Sequence, residues 1–303
     1  SNLINSGELF NITENYIYAL RSLFPELIYS AAISLSNDNA VTSISFVFFT
    51  LFLFSIYELG RSFSNKTSSI IAVLVFLSNI DILRELSING KPDFLAHFYS
   101  IIGIHTFFLA FIFNKSDKRL SLFLFLSGFF LGAAYLNKIL SVIVIFGILI
   151  FSLFQYIYEG NNQSHYLKSI SIWLVIIATT NMPSFLFKSV LVGNPFAPYL
   201  SSIFIDGSQT YSWYWESNSW PPIVDSMISN INFFQYLIFP IHATFLATDV
   251  VSPFYISFLP MVYFLKNKKI IYLSIISFFI IIAWIALSPD FFWVRYLVLP
   301  ISI

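Results

Sequence analysis

Three ionisable residues stand at the ends of long apolar stretches, where a charge is costly unless it is put to use: Asp93, Lys138 and Arg295. Asp93 closes the segment Arg84-Glu85-Leu86-Ser87-Ile88-Asn89-Gly90-Lys91-Pro92-Asp93, which packs four charges between two apolar runs. It falls in the first turn of the following helix, where the positive end of the macrodipole favours a carboxylate, so a capping role and a chemical role both fit. Lys91, two residues earlier, either anchors the membrane interface or joins Asp93. Lys138 lies in Tyr135-Leu136-Asn137-Lys138-Ile139, where two apolar runs meet with almost no loop. Its ammonium must snorkel outward or face a polar cavity. Arg295, in Asp290-Phe291-Phe292-Trp293-Val294-Arg295, enters a final apolar run from the same side. Meeting at one depth, the three residues would make an anion site, because Lys and Arg near helix ends are the usual holders of a phosphate.

Other residues admit plainer readings beside the chemical one. Glu26, in Phe24-Pro25-Glu26-Leu27-Ile28-Tyr29, fits a solvated acid on a helix lying along the interface. Tyr211, Trp213 and Trp215 belong to an aromatic cluster running to Trp220 that would stack on sugar rings or belt a membrane interface. His97 and His105 are eight residues apart with no third ligand, which favours core or cavity histidines over a metal site. No phosphate-binding glycine loop, nucleophile elbow or zinc motif is present. No motif demands a cofactor, and whether a divalent cation binds is left open.

The elements that position these residues are membrane helices. Only 10% of the chain is charged, 57% is hydrophobic and 20% aromatic, with mean hydropathy +0.80, too few charges to cover a soluble globule. Zero net charge gives no electrostatic case for a nucleic-acid partner, and the absence of cysteine excludes disulfides and thiolate metal sites. Apolar stretches long enough to cross a ~30 Å hydrocarbon core lie near 41–58, 68–83, 94–113, 120–136, 139–157, 169–188, 248–265 and 270–287. They are continuously apolar and do not alternate, which predicts an all-α polytopic membrane bundle of about eight complete transmembrane helices and rules against a barrel. Alternate short loops hold Arg61, Lys66, Lys115, Lys118, Arg119, Lys168, Lys266, Lys268 and Lys269, and that side is assigned to the cytoplasm. Twelve of the fifteen acids fall on the other side.

The expected organisation is an extracytoplasmic interfacial segment over 1–40, a six-helix core over 41–188, an extracytoplasmic aromatic-rich loop over 189–247 and C-terminal helices over 248–303, the last starting near Trp293 and cut short. The loop opens with Gly193-Asn194-Pro195-Phe196-Ala197-Pro198-Tyr199, whose glycine and prolines stop the preceding helix. Beginning at Ser1-Asn2 and stopping at Ile303 within an apolar run, the chain reads as a piece of a longer protein.

The order of motifs resembles the GT-C superfamily of membrane glycosyltransferases, in particular the bacterial branch related to protein O-mannosyltransferases and the aminoarabinose transferases of lipid A. The likeness rests on Phe24-Pro25-Glu26-Leu27-Ile28-Tyr29 with the span ending Tyr57-Glu58-Leu59-Gly60-Arg61, on Lys91-Pro92-Asp93 opening a helix with Phe98, and on Gly128-Phe129-Phe130-Leu131-Gly132-Ala133-Ala134-Tyr135-Leu136-Asn137-Lys138. Gly193-Asn194-Pro195-Phe196-Ala197-Pro198 and Arg295-Tyr296-Leu297-Val298-Leu299-Pro300 complete it. The resemblance implies an inner-membrane enzyme of the cell envelope that moves a sugar from a polyprenyl-phosphate carrier to a lipid, glycan or protein acceptor on the extracytoplasmic face. It implies a carboxylate as general base on the acceptor hydroxyl and cations that stabilise the departing carrier phosphate. Asp93 matches the second acidic residue of the family, Lys138 and Arg295 its phosphate-side cations, and Glu26 stands near where relatives line the site. The family's first helix and the acid after it would lie upstream of Ser1, so this piece alone is expected to be inactive. A transporter or flippase of lipid-linked saccharides would also gather basic residues in a central cavity, and is the competing expectation.

Overall fold

The computed structural model describes residues 23–35, 38–78, 93–110, 117–138, 141–159, 163–196 and 268–287, and every element among them is helical. In chain order they are α1 (Leu23–Leu35), α2 (Asp38–Phe63), α3 (Lys66–Leu77), α4 (Asp93–Phe108), α5 (Asp117–Asn137), α6 (Val142–Glu159), α7 (Gln163–Val192) and α8 (Lys268–Leu287). Each predicted span that reaches the described residues falls on one of these helices, while 248–265 and the helix expected near Trp293 lie outside them. Ala40–Phe63, Arg119–Asn137 and Leu167–Val190 are long and apolar enough to cross a membrane, and Lys66–Leu77, Phe94–Phe108, Val142–Ile157 and Ile270–Ile281 are shorter apolar helices. Such all-apolar helices suit lipid because every backbone donor and acceptor is satisfied within the helix.

Two helices run further than their apolar runs predict. α2 starts at Asp38 and α7 spans Gln163–Val192 straight through Pro183. A proline inside a helix removes one amide donor, a loss that membrane helices absorb through local hydroxyl bonds. Here Thr179 and Thr180 donate their hydroxyls to the carbonyls of Val175 and Ile176, holding the preceding turn.

Side-chain contacts fix the direction of each helix relative to its neighbours. Phe49 meets Phe94 and Phe63 meets Phe108 edge-on, at ring separations of 5.0 and 5.1 Å, so α2 and α4 run parallel with a constant offset. Tyr99 stacks on Phe130 and Ser127 donates to the carbonyl of Gly103, so α5 runs antiparallel to α4. Trp173 bonds Ser127 while Phe185 meets Tyr135, so α7 is parallel to α5. α3 folds back along α2, with Phe52 against Phe76 and Gly60 against Ser69. α8 packs on α6, with Ile280 against Gly147. Phe52, Phe76, Phe107, Phe108, Leu131, Ile148 and Trp173 are fully enclosed in one core that these helices share.

Two glycines set a close approach between α5 and α7. A Cβ on Gly128 would lie 2.9 Å from the Ile176 side chain and 3.0 Å from the Trp173 carbonyl; one on Gly132 would lie 2.8 Å from Thr180 Cβ. Small residues four apart let two membrane helices touch backbone to backbone, and here they seat α7 in α5.

Candidate functional site

The helix directions bring two of the sequence-predicted charges, Asp93 and Lys138, to one end. Tyr99 lies against Phe130 and Gly103 against Ser127; carried upward at equal rise, Asp93, the first residue of α4, falls level with Leu136 and Asn137, beside Lys138. Lys138 is half-buried at the corner between α5 and α6: its amide bonds the carbonyl of Ala134 at 2.9 Å, and its own carbonyl accepts from Ser141 at 2.8 Å. This tight corner is what the near-absence of a loop between two apolar runs predicts.

Asn137 beside it is completely enclosed. Its amide donates to the carbonyl of Ala133 at 2.6 Å, and its Oδ1 is buried without a hydrogen-bond partner. Asn181 of α7 repeats the pattern, donating to the carbonyl of Ile177 while its Oδ1 has no partner. Its amide sits against Gly132, so the glycine that admits α7 also brings this carboxamide into the α5–α7 interface. Buried polar atoms in native proteins are nearly always paired, so each of these orphaned acceptors is an exception that a donor would satisfy.

The turn after α7 belongs to the same end. Gly193 takes φ 67, its amide bonds the carbonyl of Ser189, and the buried Asn194 accepts the amide of Phe196 at 2.9 Å. A glycine in the left-handed region followed by an Asx turn ends a helix without strain, as the Gly-Asn-Pro-Phe sequence predicts. Phe196 packs on Phe185, which packs on Tyr135, and this aromatic chain ties the turn to the end of α5.

Glu26 lies in the first turns of α1, a helix that packs against α2 and α5. Tyr29, three residues on, shares a hydrogen bond of 3.2 Å with Ser45, one turn before the Phe49 that meets Phe94. α1 therefore stands at the Asp93 end of the bundle. Lys91, Arg295, Tyr211, Trp213 and Trp215 lie outside the described residues.

At the opposite end lie the exposed Arg61, Lys66, Arg119 and Lys168. His105 also sits toward this end, with Nε2 2.8 Å from Ser62 Oγ, while the Ser62 hydroxyl donates to the carbonyl of Glu58. That donation leaves Ser62 to accept from the imidazole, so the pair ties α4 to α2 and does not activate the hydroxyl. His97 is buried beside the Phe52 ring. Among the described residues no three His, Asp or Glu side chains group as a metal site.

One residue at the Asp93 end escaped the sequence reading. Lys188 of α7 is only 4% exposed and follows Trp173, Ile177 and Asn181 along the buried face of the helix. The available signal was that Lys188 is the single charge in the apolar run 169–188.

Fold and site together define a polytopic membrane protein of the helical-bundle class, with Asn137, Lys188 and Asn194 buried toward one end and the exposed Arg61, Lys66, Arg119 and Lys168 at the other. A family model described as dolichyl-phosphate-mannose-protein mannosyltransferase matches residues 24–182, just over half of the 303 residues, and the chain belongs to that family. It is thus a membrane glycosyltransferase. The match takes in Glu26, Asp93 and Lys138 and ends before Lys188. No curated protein and no solved structure matches the chain.

Proposed function

We propose that the protein is a GT-C-type enzyme that transfers a sugar from a polyprenyl-phosphate carrier to an acceptor hydroxyl on the extracytoplasmic face of the membrane. The observation that carries the reading is the common level of Asp93 and Lys138, at the end of the bundle away from Arg61, Lys66, Arg119 and Lys168. Basic residues in short loops are retained on the cytoplasmic side, which puts the Asp93 end outside. The family description, which names a lipid-phosphate-linked mannose donor and a protein acceptor, supports the donor class.

In this reading the Asp93 carboxylate takes the proton of the acceptor hydroxyl. The acceptor oxygen bonds to the anomeric carbon as the bond from that carbon to the carrier phosphate breaks. The electron pair leaves with the phosphate, and the ammonium of Lys138 stabilises its added charge. Glu26 borders the acceptor side, Arg295 and Lys91 join the phosphate side, and Tyr211, Trp213 and Trp215 contact the sugar or acceptor.

The test is transfer from a labelled polyprenyl-phosphate sugar by the complete protein in membranes, with Asp93→Asn and Lys138→Ala alongside. Loss of a general base lowers the rate by roughly 10²–10⁴. A double variant that transfers at the parental rate removes the assignment, and a parent that moves the donor across vesicles without forming product makes the protein a flippase.

A further inference from the structure

We propose that Asn137 is a specificity-determining residue whose carboxamide oxygen accepts a hydroxyl of the donor sugar. The inference rests on the polyprenyl-phosphate reading above and adds a residue that reads the sugar itself.

Four enclosed side-chain atoms lack a hydrogen-bond partner among the described residues: Ser100 Oγ, Asn137 Oδ1, Gln155 Nε2 and Asn181 Oδ1. Their places in the bundle separate them. Ser100 lies seven residues along α4 from Asp93, and Gln155 stands near the far end of α6. Asn181 packs against Gly132, five residues before Asn137, where α5 and α7 already touch. Asn137 is the last residue of α5, so a ligand reaches it from the end of the bundle without parting two helices.

The face of α5 settles what Asn137 looks toward. Phe130 stacks on Tyr99 of α4, and Asn137 follows it by seven residues, roughly 20° away around a helix of ~3.6 residues per turn. α4 runs the other way, so the same two turns lead back from Tyr99 to the start of that helix at Asp93. The next residue along α5 is Lys138, the phosphate-side cation of the proposed scheme. In that scheme the sugar lies between the acceptor oxygen that Asp93 activates and the departing phosphate, and Asn137 stands at the same level.

The carboxamide is oriented by its own helix. Nδ2 donates to the Ala133 carbonyl at 2.6 Å, which turns Oδ1 away from that carbonyl and leaves it purely an acceptor. Its partner must carry a proton. Phosphodiester oxygens and a prenyl chain offer none, whereas each free hydroxyl of a sugar does. Asn137 is 0% exposed, so water does not compete for the oxygen, and a buried acceptor left unpaired is costly. A site of this kind rejects an analogue lacking the hydroxyl far more strongly than a pocket that selects by size. A leucine at this position would extend the apolar run at no such cost, so packing alone gives no reason for the amide.

The experiment is transfer by the complete protein in membranes from undecaprenyl-phosphate mannose, glucose and galactose. The sugar used best is then compared with its four monodeoxy forms in the parent, in Asn137→Leu and in the control Asn181→Leu. The parent uses one deoxy form roughly ten- to a hundredfold less well than the complete sugar, in kcat/KM. Asn137→Leu is slowed by that factor on the complete sugar and no longer distinguishes it from that one form, while its other three ratios are parental. Asn181→Leu keeps all four ratios. Asn137→Ala gives the same reading should the leucine variant fail to accumulate.

A parent that uses every deoxy form as well as the complete sugar overturns the inference, as does an Asn137→Leu protein with all four parental ratios. Equal slowing on all donors makes Asn137 a packing residue and likewise removes the role. In each of these cases the donor reading stands. A parent that transfers none of the three sugars defeats that reading and this inference together.

Discussion

Replacing Gly132 by valine tests whether the seating of α7 in α5 builds the site. The added Cβ would stand 2.8 Å from Thr180 Cβ and 2.9 Å from Thr180 Cγ2. Carbon atoms rest at about 3.5–4.0 Å, so the helices must part by about 0.7–1.2 Å before the two γ-methyls are counted. Overpacking of this kind costs about 1–3 kcal/mol. Glycine and valine differ in helix propensity by only a few tenths of a kcal/mol, so propensity does not mask the effect. For a chain of this size the melting temperature falls by roughly 2–5 °C. The displacement carries along α5 to Lys138, six residues on, and in the proposed reading a shift near 1 Å at a reacting geometry lowers the rate by up to about 10²-fold. Thermal unfolding in nanodiscs and transfer from a polyprenyl-phosphate sugar read the two effects. Ala178→Val, on the exposed side of the same helix, is the control and stays within about 0.5 kcal/mol of the parent. A Gly132→Val protein with parental melting temperature and parental transfer would refute both the close approach and its bearing on the site.

Two further perturbations separate scaffold from site. Ser127 donates to the carbonyl of Gly103 at 2.8 Å and accepts from the Trp173 indole at 3.0 Å, bridging α4, α5 and α7. Ser127→Ala leaves the enclosed Trp173 N–H without this partner and lowers stability by about 1–3 kcal/mol, read as a fall in melting temperature; an unchanged value would show that the bridge contributes nothing. Ser62→Ala removes the bond to His105, which lies twelve residues or about 18 Å along α4 from Asp93. It costs about 0.5–1.5 kcal/mol of stability while transfer stays within twofold of the parent, and a large loss of transfer would place the Ser62 end in the catalytic machinery.

The sequence alone determines the solvent and the secondary structure. Continuous apolar runs in a chain with 10% charge permit only helices in lipid, and α2 to α7 fall on the predicted runs. The Gly-Asn-Pro-Phe turn was equally legible, because glycine in the left-handed region and proline act on the backbone locally. The charge at Lys138 was legible too, since an ammonium between two apolar runs stands out whatever surrounds it.

Only the tertiary structure decided which helices are neighbours and at what height. Gly128 and Gly132 are small residues in a sequence, but their meaning as the seat of α7 depends on Ile176, Thr180 and Asn181, some fifty residues away. Lys188 looked like an ordinary end of an apolar run. Its burial follows from the face of α7 that the Ser127–Trp173 bond turns toward α5. Periodicity fixes which residues share a helix face; which neighbour that face meets, and hence which distant charges stand level, is set by packing between helices that the sequence does not order.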